Sequence, residues 1–247
     1  MGVWRGPLIK KKNSNFYMKP VNVKQNYHKF CFKKYDMFWQ TITKSLSKSF
    51  DKKTNNAIFF HCSRILSIDE LLKSEPEKRL KYDVAFHFFY DLGKQLKDLE
   101  SKDLSVPFFE KSDIIVLDVP NQRYRFLFIN KDKLLKIDND EIKIEIPYQN
   151  NGFFSPELED VSVLPAKISC QSGIFSLASM CTSLLNNKEI TKEMIEKGFF
   201  WKTNTRDEDD HLSPRVLLLD LINGTKLFFA LERCLNIHTD DRYYFFI

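Results

Sequence analysis

Residues 172–186, SGIFSLASMCTSLLN, carry no charged side chain. Apolar residues would fall on every side of a helix formed by this run. Such a helix has no face to offer to water, so other elements must surround it. Fifteen residues are too few for a membrane span, which needs about 20. The chain must therefore be large enough to enclose this segment. At 247 residues it suits one large domain or two small lobes around a real core.

The rest of the chain divides by period. Met37, Trp39, Ile42, Leu46 and Phe50 fall near helical spacing and predict a helix over 34–50. Within 26–35 there is room for a short strand. Residues 55–66 read as a strand, and Ser67 with Glu70 has the form of a capping box that starts a helix. Leu80, Val84, Phe88, Leu92, Leu96 and Leu99 step by four and three, which predicts a long helix over 79–101. Segments 113–118 and 124–130 read as two strands of a hairpin, and β character continues through 133–137 and 141–146. Beyond the uncharged run, Gly198 stops a short helix over 190–200, and Ser213 with Pro214 opens another. Residues 225–237 form the last helix. Strands early and helices late give an α+β fold around a buried central helix.

Charge is uneven. Residues 1–35 hold nine basic and no acidic side chains, while the whole chain is only +5, so the remainder is net acidic. A basic arm of this kind suits nucleic acid, a membrane surface or an acidic partner; its plainer reading is a solvated segment. Five scattered cysteines with no C-x-x-C pair argue against a disulfide framework and a zinc knuckle. They fit a reducing, intracellular compartment. No secretion signal or membrane-length apolar run is present.

Five segments, in order, resemble the eukaryotic protein-kinase fold over residues 57–247. The helix at 79–101 is similar to the one before the catalytic loop. SVPFFEKSDIIVLD (105–118) resembles that loop running into its hairpin. FFSPEL (153–158) resembles the Ala-Pro-Glu motif, with Ser155, Pro156 and Glu157 in its places. GIFSLA (173–178) resembles the Asp-x-Trp-Ser-Leu-Gly start of the buried helix, and LERCLNIHTDDR (231–242) the helix ending in the arginine that pairs with the motif's glutamate. The resemblance implies a protein-kinase-like fold: a basic segment 1–33 that joins or precedes a reduced N-terminal lobe at 34–66, then a mainly helical C-terminal lobe at 67–247. The pattern also resembles kinase-like proteins of large DNA viruses, which implies the host cytoplasm.

The same resemblance implies that the chemistry is gone. Phosphoryl transfer needs a phosphate cover, a lysine held by a helix glutamate, a base and metal ligands. Only Gly2 and Gly6 occur in the first 92 residues, so no G-x-G-x-x-G loop exists. Lys33 or Lys34 could stand for the lysine, but the following helix offers only Asp36 as an acid. Val106, Pro107 and Phe108 occupy the His-Arg-Asp positions, and phenylalanine accepts no proton. The two metal positions fall on Asp113 and Asn130; a shifted register would use Asp132 or Asp138. Glu157 and Arg242 would remain as a structural pair. His61, Cys62 and His87 lack further ligands at metal spacing, and the acidic stretch 206–211 lacks the spacing of a calcium loop. The expectation is a pseudokinase that binds a protein partner, with no catalytic residue, no metal site and no cofactor. The alternatives are an atypical Ser/Thr-type kinase using Mg-ATP, and a protein that binds nucleic acid or a membrane surface through residues 1–35.

Overall fold

The computed structural model of the chain describes residues 16–22, 27–32, 36–44, 50–54, 57–120, 124–148, 152–188 and 219–243. Strands β1 (Phe16–Asn22), β2 (Tyr27–Phe32), β3 (Phe50–Thr54) and β4 (Ala57–His61) form one antiparallel sheet in the order β1-β2-β4-β3. Part of the basic N-terminal stretch is therefore paired strand, with Phe16 opposite Phe32 and Lys29 opposite Phe59. Helix α1 (Met37–Lys44) is shorter than the 34–50 period predicts. The Thr41 and Thr43 hydroxyls donate to the Met37 and Trp39 carbonyls, which weakens the last turn. Phe50 goes instead to β3, where pairing with β4 overrides the local period.

A second sheet follows the order β5-β7-β8, formed by β5 (Arg64–Ser67), β7 (Ile114–Asp118) and β8 (Arg125–Phe128), all antiparallel. Helix α2 (Ile68–Ser74) leaves β5 through the capping box read from the sequence. The Ser67 amide donates to Glu70 Oε2 at 2.7 Å, and the Glu70 amide to Ser67 Oγ at 3.2 Å. A third sheet, β11-β10-β9-β6, joins segments far apart in the chain: β6 (Leu104–Ser105), β9 (Leu135–Asp138), β10 (Glu141–Ile144) and β11 (Ala166–Ser169). Ile142 faces Ile168 across it.

The helices α3 (Tyr82–Glu100), α5 (Ser172–Asn186) and α6 (Lys226–Cys234) complete the main core, with short α4 (Pro156–Glu159) between the last two strands. Every residue of α5 from Ser172 to Leu185 is buried. It packs on α3 and α6, and α3 also covers β8. Asn187, in the left-handed conformation, ends α5.

Helix α3 does more than cover β8. As an edge strand, β8 presents backbone groups with no strand partner. Gln95 supplies what a neighbouring strand would: its Nε2 donates to the Phe126 carbonyl at 2.8 Å, and its Oε1 accepts the Phe128 amide at 2.9 Å. One turn earlier, Asp91 accepts the Phe126 amide at 3.0 Å and both arms of Arg125 at 2.9 Å. Asp91 and Gln95 are almost wholly buried, so each bond forms away from water. Replacing Gln95 by Leu keeps the volume but strands one donor and one acceptor. Urea melts of Gln95→Leu should show a loss of about 2–4 kcal/mol, since each unsatisfied buried group costs about 1–3 kcal/mol.

Candidate functional site

The segment 105–110 runs through the centre of the molecule, and the start of α5 holds it. Ser176 Oγ accepts the Phe109 amide at 2.7 Å, and Ser172 Oγ donates to the Pro107 carbonyl at 3.0 Å. Ser155 and Ser172 hydroxyls meet at 2.5 Å, and Ser105 Oγ donates to the Cys170 carbonyl at 2.9 Å. Gly173 is required here. A Cβ at that position would lie 2.0 Å from the Val106 carbonyl oxygen, inside backbone that has nowhere to move.

Phe108 is 2% exposed and stands at the centre of a second, smaller core. Its ring meets Tyr148 edge-on at 4.6 Å and Phe154 at 4.7 Å. Ile142, Ile144, Leu158 and Ile168 close the cluster from the third sheet and α4. Gly152 lets the returning chain touch the ring: a Cβ there would lie 2.3 Å from Phe108 Cδ2. Phe153 pairs with Phe109 through a 3.0 Å backbone bond, which fixes this return.

Asp113, wholly buried, ends the short turn that leads into β7. Its Oδ1 accepts Asn130 Nδ2 at 2.7 Å; its Oδ2 accepts Lys133 Nζ at 2.7 Å and the Glu110 amide at 2.8 Å. Lys133 Nζ also lies 3.1 Å from Glu110 Oε1 and 3.8 Å from the centroid of the Phe108 ring. The structure thus brings Phe108, Asp113 and Asn130 together. Asp132 and Asp138, the shifted-register candidates, are exposed. Lys33 and Lys34 lie outside the described residues, as does the stretch 206–211. Asp36 accepts an ion pair from Lys131 at 3.2 Å and so ties α1 to the segment after Asn130.

Sequence reasoning passed over Lys133 and Glu110. A lysine three residues after Asn130 has no local signature, and Glu110 reads as a surface acid in a polar loop. Neither residue becomes informative until β7, β8 and the turn after β8 are folded together.

The structural pair is the most elaborate contact of the region. Arg242 donates to both Glu157 oxygens, at 2.5 and 2.9 Å. It also donates to the Asn236 carbonyl at 2.6 Å and the Ile237 carbonyl at 3.0 Å, and its guanidinium lies 4.7 Å from the Phe175 ring centroid. Pro156 opens α4, and buried Ser155 precedes it as N-cap. Three elements distant in sequence, α4, α5 and the C-terminal turn, meet on one side chain.

Cys62, Cys170, Cys181 and Cys234 are buried. Burial pushes Cys62 and Cys234 up to about 12 and Cys170 up to about 11, and Cys181 higher still. His87 is half-buried against Phe86. Among the described residues, no three His, Cys, Asp or Glu side chains converge as metal ligands, and no helix is long and apolar enough to cross a membrane.

With this geometry in place, comparison with solved structures decides the fold. A structure of titin kinase and its flanking domains matches 97% of this chain with a TM-score of 0.50 at 13% identity. The fold is protein-kinase-like. This chain spans 43% of that chain's length, and at such identity the likeness speaks to fold alone. No family model matches the sequence, and no curated protein does.

The ion pair generates a stability prediction. Glu157→Ala leaves a buried guanidinium without its carboxylate, and Arg242→Ala leaves the carboxylate and two carbonyls without a donor. Each should cost about 3–5 kcal/mol by thermal or urea unfolding. Arg242→Lys should rescue little, because an ammonium cannot span both oxygens. Unchanged melting temperatures in both alanine variants would show that the pair does not hold the C-terminal turn.

Proposed function

We propose that this chain is a non-catalytic protein-kinase-like protein that works by binding a protein partner. The observation that carries this reading is Phe108. The position that the kinase resemblance assigns to the catalytic base is a buried aromatic side chain, packed by Tyr148 and Phe154. It has no proton-accepting group, and the aromatic cluster fills the space a substrate hydroxyl would need. General-base catalysis requires an acceptor within hydrogen-bond reach of the proton it takes, and the side chain at 108 is not one; the neighbouring Asp113 and Glu110 carboxylates are engaged by Lys133.

A binding role draws support from the surface next to that core. Ile146 and Val163 are 65% and 75% exposed. Nearby, Tyr148, Phe154, Leu158 and Leu164, together with the polar Glu159 and Ser162, line a groove of about 220 Å³. Exposed apolar side chains beside a shaped groove suit a protein contact better than a solvated loop. On this reading residues 34–66 are a reduced N-terminal lobe, joined or preceded by 1–33, and 67–247 are the C-terminal lobe. The likeness to viral kinase-like proteins and the host cytoplasm belong to the same proposal.

The decisive measurement is thermal unfolding with and without Mg-ATP. Nucleotide at roughly 100 times its dissociation constant would stabilise the protein by about 2.7 kcal/mol. No shift is expected, and no phosphate transfer to a generic protein substrate. A saturable nucleotide-dependent shift would overturn the nucleotide-blind reading in favour of an atypical ATP-binding kinase. Salt-dependent DNA binding lost on removing residues 1–33 would instead favour the basic-arm reading.

A further inference from the structure

Metal-dependent phosphoryl transfer needs oxygen ligands that converge on a divalent cation. The kinase resemblance assigns that task to positions 113 and 130, and the residues present do not fit it. Asn130 turns its amide nitrogen, not its oxygen, toward Asp113 at 2.7 Å. A nitrogen that donates to the carboxylate cannot also ligate a metal held there. The other carboxylate oxygen already receives the Lys133 ammonium at 2.7 Å.

The surroundings of Lys133 Nζ are those of a coordinated cation. Two carboxylates, Asp113 and Glu110, contact it at 2.7 and 3.1 Å. The face of Phe108 lies 3.8 Å away, where the negative ring quadrupole favours positive charge. The Lys133 side chain is 12% exposed, and that of Asp113 is not exposed at all. Magnesium would bind carboxylate oxygen at about 2.0–2.1 Å, and calcium at about 2.3–2.6 Å. A metal at that range from Asp113 Oδ2 would press against the ammonium and be repelled by its charge.

We infer that Lys133 is the resident cation of this site: its ammonium has taken the position and the charge of a divalent metal, so the cleft excludes metal while Lys133 is charged. The carboxylates that remain, Glu110 and Asp113, make a divalent-cation site closed by the chain's own side chain. This rests on the non-catalytic kinase-like reading above and names what occupies its metal position.

The test is a titration with Mn²⁺, followed by paramagnetic resonance and by melting temperature. Wild-type protein should show no saturable Mn²⁺ site. Lys133→Met should melt lower than wild type without metal, gain a saturable Mn²⁺ site, and recover melting temperature as that site fills. Asp113→Asn combined with Lys133→Met should lose the Mn²⁺ response and melt higher than the single variant in metal-free buffer. Saturable Mn²⁺ binding by the wild type that Asp113→Asn abolishes would overturn the inference. So would a folded Lys133→Met that ignores Mn²⁺. Should Lys133→Met fail to fold with or without Mn²⁺, the double variant decides. Its folding supports the counter-charge role, and its failure overturns it. A nucleotide shift in metal-free wild type would sink the nucleotide-blind reading while leaving Lys133 in place, so the two failures are told apart.

Discussion

The grip of α5 on residues 105–109 governs the rest of the molecule. Ser176 and Ser172 take the Phe109 amide and the Pro107 carbonyl, and Gly173 lets the Val106 carbonyl lie against the helix. Those bonds form inside a core where water cannot compete, so the backbone has one place to be. Once that segment is placed, Phe108 must point into the space between the third sheet and α4. Asp113 must come just before β7, four residues beyond Phe109. The contents of the cleft follow from this anchor more than from any property of the cleft residues themselves.

Two charge arrangements then divide the molecule. Near the C-terminus, Glu157 and Arg242 form a bidentate pair whose remaining guanidinium donors go to backbone carbonyls. That pair serves connection: it closes α4 onto the last turn over Phe175. In the cleft, Lys133 serves neutralisation. A buried carboxylate such as Asp113 is expensive without a compensating charge, and Lys133 supplies one from within the chain. The aromatic ring at 108 suits the same end, because it offers the ammonium a π face.

Features carried by local pattern were legible in the sequence. The uncharged run 172–186 announced a helix that must be surrounded, because no rotation of it presents a polar face. Ser67 with Glu70 announced a helix start through spacing alone. Glu157 and Arg242 were nameable because two short segments resemble the kinase pattern in order. Features made by long-range pairing were not legible. Phe50 shares a helical period with Trp39 and Ile42, but it pairs with β4 as part of β3. Gln95 looks like one more polar position on α3, and its work at the edge of β8 depends on a strand 31 residues away. Lys133 has no meaning until the turn after β8 folds back on Glu110 and Asp113. Side chains whose partners lie far along the chain leave no periodic trace.

The coupling of these residues bears on whether the site lies one substitution from catalysis. An aspartate at position 108 would sit where a ring now packs against Tyr148 and Phe154, among Ile142, Ile144 and Leu158. Its charge would be desolvated on that apolar side. On the other side it would meet Lys133, whose ammonium would gain a third carboxylate rather than yield to a metal. The new acid would be a buried ion-pair partner, tied up by the lysine, and not a base free to take a proton. Admitting a metal would require Lys133 to leave, and freeing an acid at position 108 would require the stretch 152–154 to withdraw. Each change alone leaves a buried charge or an apolar gap. The contacts that Phe108, Lys133 and Asp113 share therefore oppose any single change at position 108.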